Sequence, residues 1–136
     1  MEFELDVAPS DESINEIRNG LVEHNQPFLN GLDREKVAFY AKVNEKKVGG
    51  ITAEVFGNWL LINFLWVEES IRGKDVGSNL LLQLENHAKS KGCHSSMVDT
   101  FSFQAKPFYE KHGYVCHMTL ENYPVDHARH FFTKLL

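Results

Sequence analysis

Nine residues in the middle of the chain, Trp59-Leu60-Leu61-Ile62-Asn63-Phe64-Leu65-Trp66-Val67, are apolar except for Asn63. The run is far short of the roughly 20 apolar residues that cross a bilayer. It follows Gly57-Asn58, a two-residue hairpin signal, and reads as a central strand covered on both faces. Asp75 to Lys91 comes next as a helix. Val76, Leu80, Leu84 and Ala88 form an i+4 ladder reinforced by Leu81, and Lys89, Lys91 and Gly92 give a basic last turn and a glycine stop. His94 to Phe101 then reads as a strand parallel to the first. Strand, helix and parallel strand make a β-α-β crossover, which fixes the centre of any fold this chain adopts.

The flanks extend that centre into a sheet. Phe3, Leu5 and Val7 alternate with Glu2, Glu4 and Asp6, the pattern of a half-buried strand. Pro9-Ser10-Asp11-Glu12 reads as a helix start with Ser10 as N-cap and acids in the first turn, and Ile14, Ile17 and Leu21 continue at helical spacing to about His24. Residues 25–33, with Pro27, Asn30 and Gly31, are punctuated as a loop whose Phe28 and Leu29 are expected to pack over something. Val37–Val43 and Val48–Phe56 read as strands joined by a turn at Asn44-Glu45-Lys46. Gln104–His112 reads as a short helix closed by Gly113, and Tyr114–Leu120 and Arg129–Leu136 as strands on either side of the turn at Pro124. The expected order is β-α-β-β-β-α-β-α-β-β. This is an α/β (α+β) fold with one twisted, mixed and mostly antiparallel sheet. No repeat, low-complexity stretch or linker divides the chain, so residues 1–136 are expected to form one domain.

Composition narrows the function. With 136 residues, 43% apolar and 24% charged, the chain has an ordinary globular balance and can bury roughly two-thirds of its unfolded surface. Fourteen lysines and arginines against 19 acids leave a net charge of −5. That argues against nucleic-acid binding, which needs a basic face, but leaves room for a local anion pocket. Two cysteines, Cys93 and Cys116, are too few for a disulfide scaffold and read as reduced, partly buried thiols. The N-terminus lacks the basic and hydrophobic regions of a signal peptide, so a soluble, cytoplasmic protein without membrane partners is expected.

The candidate chemistry sits at Arg72-Gly73-Lys74-Asp75-Val76-Gly77-Ser78, between the apolar strand and the long helix. Glycines and a basic pair at a helix N-terminus make an anion site, because free N–H groups and the helix dipole both favour negative charge. Neither the P-loop pattern G-x-x-x-x-G-K-S/T nor the dinucleotide pattern G-x-G-x-x-G is present. Alone, the segment reads equally well as an ordinary strand-to-helix turn.

A second segment changes the balance. Pro107-Phe108-Tyr109-Glu110-Lys111-His112-Gly113-Tyr114 follows the next strand, and together the two segments resemble the GNAT family of N-acetyltransferases. That family's pyrophosphate loop starts with arginine or glutamine, has glycine three residues on, and glycine or alanine two further; Arg72 and Gly77 match the first and last. Its second motif runs from an asparagine through an alanine and a Phe-Tyr pair to a glycine and an aromatic. Ala105, Phe108, Tyr109, Gly113 and Tyr114 match, with Ser102 in place of the asparagine. The sequence departs from the family at two positions, Asp75 for glycine and Ser102 for asparagine. Asp75 is also read as the N-cap of the long helix.

The resemblance implies a cleft between Trp59–Val67 and His94–Phe101, where the fourth and fifth strands of the family splay apart. Acetyl-coenzyme A would lie there as acyl donor, its pantetheine arm along Leu65, Trp66 and Val67 in the manner of an added strand. Its diphosphate would sit on Arg72, Gly73, Lys74, Asp75, Val76, Gly77 and Ser78. Ser102, Ala105 and Phe108 of the second motif would complete the cofactor site, Ser102 at the position that helps hold the pantetheine arm or the local turn. An acceptor amine would attack the thioester directly, a backbone N–H near Val67 would polarise the carbonyl, and Tyr109 would protonate the leaving thiolate. Asp99, Glu68 and Glu54 are candidate bases. His112, His117, His127 and His130 fit no zinc spacing, so no metal is expected. The acceptor, the amine of a small molecule or peptide, would be shaped by residues 25–33 and Tyr123–Arg129. A homodimer is compatible with the habit of the family. The competing reading is a non-catalytic acyl-coenzyme A sensor or interaction module on the same fold.

Overall fold

The computed structural model describes residues 1–136, which divide into two compact units, Met1–Leu32 and Asp33–Leu136. In the first unit, helix α1 (Asp11–Asn25) starts at Ser10, whose Oγ accepts from the Ser13 N–H at 3.1 Å with Asp11 and Glu12 in the first turn. No residue of α1 is buried. The strand expected at Phe3–Val7 does not form; Phe3, Leu5 and Val7 are 92%, 85% and 86% exposed. Alternation makes a strand only where a neighbouring edge takes up the backbone hydrogen bonds, and this unit contains no strand to offer one. Phe28 is likewise exposed rather than packed.

The second unit is a six-stranded mixed sheet of order β1-β2-β3-β4-β6-β5. Strands β1 (Arg34–Val43), β2 (Lys46–Phe56) and β3 (Trp59–Val67) form an antiparallel meander. Asn44 and Glu45, both at positive φ, make the tight first turn, and Gly57-Asn58 makes the second. Helix α2 (Val76–Ser90) crosses to β4 (Ser95–Phe101), which is parallel to β3. Then follow α3 (Lys106–Lys111), β5 (Val115–Leu120) and β6 (Arg129–Leu135), with β6 inserted between β4 and β5.

Leu80, Leu81, Leu84 and Ala88 of α2 are buried with Ile51, Ala53, Val55, Leu60 and Ile62 in one core that continues through Val98, Phe132, Tyr109 and Tyr114. One charge lies inside it. Glu85 is 5% exposed, paired with Lys134 Nζ at 3.0 Å and with the Tyr114 hydroxyl at 2.9 Å, so its burial is compensated.

Strand β3 corrects the expectation of two covered faces. Leu60 and Ile62 point into the core, and so do Leu65 and Val67, whereas Phe64 and Trp66 are exposed. The register explains the run. Thr52 pairs with Phe64 but Ala53 with Ile62, so Asn63 is an extra residue in a β-bulge. The bulge shifts the alternation by one position. An apolar stretch that looks continuous in sequence is two alternating halves out of phase.

Candidate active site

β3 and β4 pair only along Trp59–Leu61 and Ser95–Met97. Beyond those residues they part, and the gap opens into a cleft of about 770 Å³. Leu65, Trp66 and Val67 lie along one wall, the start of α2 forms the mouth, and Ala105, Phe108 and Tyr109 close the far side. Every residue assigned from the sequence to the acyl donor, and Tyr109, lines this cleft except Lys74 and Ser102. Lys74 is exposed on the loop. Ser102 instead ties two segments together: its N–H donates to Ala128 O at 2.8 Å and its Oγ accepts from Ala128 N–H at 3.1 Å.

The wall has usable backbone. The Glu68 N–H donates to Val48 O, so by strand alternation the N–H and C=O groups of Trp66 face β2, while those of Leu65 and Val67 face the gap. The Val67 carbonyl is taken by Arg72 Nε at 2.9 Å, which anchors the guanidinium at the mouth. The Leu65 groups and the Val67 N–H therefore offer the free donors and acceptor that an extended amide chain can pair with.

The helix mouth is open as well. Asp75 stands at φ 60°, ψ 18°, in the left-handed region, and its side chain makes no capping hydrogen bond. This corrects the N-cap reading. A capping side chain needs an extended backbone, and this residue instead turns the chain tightly after Gly73, itself at φ 79°. Aspartate is one of the few residues that tolerate such a conformation, which glycine adopts without strain. The first i→i−4 bond of α2 runs from the Asn79 N–H to Asp75 O. The N–H groups of Val76, Gly77 and Ser78 precede it and are left for an anion at the positive end of the helix dipole.

Tyr109 is 3% exposed, its ring packed edge-on to Phe108 and Tyr114 with centroids 5.2 and 5.5 Å away. Burial, and then the negative charge of Asp99, push its phenol up to about 12. It is protonated throughout the neutral range. Of the three candidate bases, Asp99 lines this cleft, its Oδ2 accepting from Arg129 Nε at 2.7 Å and paired with Nη2 at 2.6 Å. Glu68 is bonded to Ser70, and Glu54 to Arg34 at 2.9 Å.

The histidines do not converge. His117 meets Thr133, His130 meets Thr119, and His127 packs on Phe103. No group of three or more His, Cys, Asp or Glu side chains is arranged to hold a metal, and no helix is long and apolar enough to cross a membrane. His112 has a partner that sequence reasoning missed: its Nε2 lies 2.8 Å from Ser78 Oγ, at the mouth of the cleft. Nothing in the spacing of residues 78 and 112 signals that contact, which the packing of α3 beside α2 creates.

Comparison with known proteins agrees with this geometry. A model of the acetyltransferase (GNAT) family matches residues 5–114. Blasticidin-S acetyltransferase from Streptomyces morookaense is 33% identical over 112 residues, which cover 81% of this chain and 82% of that protein. The crystal structure of an acetyltransferase from Bacillus cereus ATCC 14579 superposes with a TM-score of 0.89 at 37% identity, covering 98% of both chains. An aminoglycoside 6'-N-acetyltransferase crystallised with coenzyme A shares the fold, with a TM-score of 0.66 at 22% identity over 93% of this chain and 81% of that one.

Proposed function

This chain belongs to the GNAT family of acetyltransferases, with acetyl-coenzyme A as acyl donor, and from that premise we propose that its cleft transfers the acetyl group to a primary amine of a small molecule or peptide. The observation that carries this reading is the pairing of two anchor points in one cleft: unpaired strand backbone at Leu65 and Val67, and the open N-terminus of α2 beside Arg72. The first suits the amides of a pantetheine arm and the second a diphosphate. The span of the family match, across both compact units, supports treating residues 1–136 as one acetyltransferase domain.

In this arrangement the amine nitrogen bonds to the thioester carbonyl carbon as the carbon–sulfur bond breaks. The Val67 N–H faces the charge that develops on the carbonyl oxygen. Tyr109 donates its proton to the departing sulfur. A phenol near 12 is a weak acid beside an ordinary thiol of about 8.5, but the burial and the Asp99 charge that raise it also raise a thiolate released next to it. Asp99, oriented by Arg129, accepts the proton that the amine loses, directly or through water, and passes it to solvent, while the Tyr109 phenolate takes a proton back from solvent. The relatives named for blasticidin S and for aminoglycosides support a small-molecule acceptor carrying an amine.

The test is release of free thiol from acetyl-coenzyme A across a panel of primary amines, with binding followed by calorimetry. Tyr109→Phe keeps the ring and removes the proton, so kcat is expected to fall about 10²-fold or more with donor affinity unchanged. The acid form is lost only as pH rises through about 12, so Tyr109 should add no falling limb to the rate profile near neutrality. Donor binding without thiol release for any amine would make the protein a binding module. An unchanged kcat with chemistry rate-limiting would return Tyr109 to a packing role.

A further inference from the structure

Ser78 is the third residue of α2 and lines the cleft. Its hydroxyl has a single hydrogen, and its oxygen lies 2.8 Å from His112 Nε2. The imidazole packs against the Phe108 ring, with centroids 4.7 Å apart, and Phe108 in turn lies against Gly77, where an added Cβ would sit 3.6 Å from the ring. Two arrangements of the pair exist. If Ser78 donates to Nε2, the hydroxyl presents only lone pairs to the cleft, which repel an anion. If Nε2 carries the hydrogen and donates to Oγ, the hydroxyl proton is free to point at the anion. An anionic ligand selects the second.

We propose that His112 is a positioning residue for the diphosphate of the acyl donor: it donates from Nε2 to Ser78 and so turns the Ser78 hydroxyl into a donor aimed into the cleft. The proposal rests on the reading of this cleft as the acetyl-coenzyme A site. The surroundings of His112 favour its neutral form before the donor arrives. Burial acts first, and Lys111 and Lys134 add to it, while Glu85 and Asp75 act in the opposite sense; the net effect places the imidazole below its ordinary value. A diphosphate beside Ser78 favours both the Nε2–H tautomer and the imidazolium, which donates from the same nitrogen. Donor binding therefore raises the imidazole's proton affinity. By linkage, the extra affinity is present in full below the free-state value and is lost as pH rises through the bound-state value.

The experiment compares acetyl-coenzyme A with S-acetylpantetheine, which has the same acyl arm and no diphosphate. His112→Ala is expected to weaken acetyl-coenzyme A by about 5- to 10-fold, the scale of one ordinary net hydrogen bond, and to leave S-acetylpantetheine unchanged. His112→Gln, whose amide can donate to Ser78, is expected to recover most of that affinity at pH 8. The ratio of wild-type to His112→Gln affinity should then rise as pH falls to 5.5; taking the ratio cancels the titration of the donor's own phosphate monoester, near about 6. In a Ser78→Ala background, His112→Ala should have no further effect. Equal losses for both donors, with a lowered melting temperature, would show that His112 only supports the fold. A flat pH ratio or an undiminished effect in Ser78→Ala would also overturn the proposal. Failure of the site itself reads differently: acetyl-coenzyme A would then be insensitive to Arg72→Ala in the wild-type background.

Discussion

Helices α1 and α2 are each 15 residues long, and they begin in opposite ways. At α1 the backbone of Ser10 is extended, its hydroxyl caps the Ser13 N–H, and Asp11 and Glu12 place negative charge in the first turn. At α2 the residue before the helix is left-handed, no side chain caps, and the first turn contains no acid. The helix that needs local support has it, because no residue of α1 is buried and an isolated helix of this length is marginal in water. The helix that has a core to hold it can leave its end undressed: Leu80, Leu81, Leu84 and Ala88 are almost fully enclosed. Burial thus supplies the stability that a cap would give, and the uncapped N–H groups are left free to meet an anion. The same dipole is quenched in one helix and presented in the other.

Breaking the presented end gives the largest effect on binding. Arg72 reaches the mouth of the cleft while its Nε is tied to the Val67 carbonyl, so Arg72→Ala removes a fixed cation and loosens the loop together. Acetyl-coenzyme A affinity should fall by about 1.5–3 kcal/mol, the range for a charge-assisted contact. Calorimetry at constant salt measures it, and equal affinity for wild type and variant would separate the diphosphate from this helix end.

Asp75→Gly sharpens the contrast, because it makes the α2 start more open still. With Asp75 in the left-handed region and without a capping bond, there is no cap to lose, and glycine relieves backbone strain of about 1 kcal/mol. Removing a carboxylate from the end proposed to receive the diphosphate should also tighten the donor by about 1 kcal/mol if the groups come within about 4 Å in high dielectric. Stability and affinity should therefore rise together, and the binding gain should shrink as salt increases. Thermal melts and titrations at two ionic strengths check both. Weaker binding at both salts would mean that the Asp75 side chain assists the site.

What the sequence made legible follows from how local each feature is. The α1 cap and the hairpin at Gly57-Asn58 depend on neighbours within a few residues, and the β-α-β crossover follows from three locally patterned elements joined by a general topology rule; all are present. The two motifs around Arg72 and Tyr109 supply residues that line the gap where β3 and β4 part. The features that escaped are set by register or by contacts distant in sequence. A bulge at Asn63 made half-exposed β3 look covered on both faces. The alternation of Phe3, Leu5 and Val7 is a strand pattern without a partner strand in its unit. Asp75 has the composition of a cap, but backbone dihedrals decide whether its side chain can act as one. The Ser78–His112 bond joins residues 34 apart through the packing of two helices, and no spacing rule reaches that far.

The smallest effect tests the other half of the comparison. If α1 is held at its start by Ser10, Ser10→Ala leaves the Ser13 N–H without its partner and should cost about 1 kcal/mol, the usual value of an N-cap. Because α1 has no buried residue to share that loss, the cost should stay local. Amide exchange in the first two turns of α1 should quicken about 5-fold, while exchange in α2 and the central strands is unchanged. The same substitution should not move acetyl-coenzyme A affinity, since the anchors proposed for the donor, Leu65, Val67 and the start of α2, all lie in the second unit. An Asp at position 10 would keep the cap and strengthen it through the dipole, so Ser10→Asp should slow the same amides. Exchange in α1 that ignores both substitutions would mean that the capping bond contributes nothing to the helix. The contrast between a dressed and an undressed helix start would then rest on α2 alone.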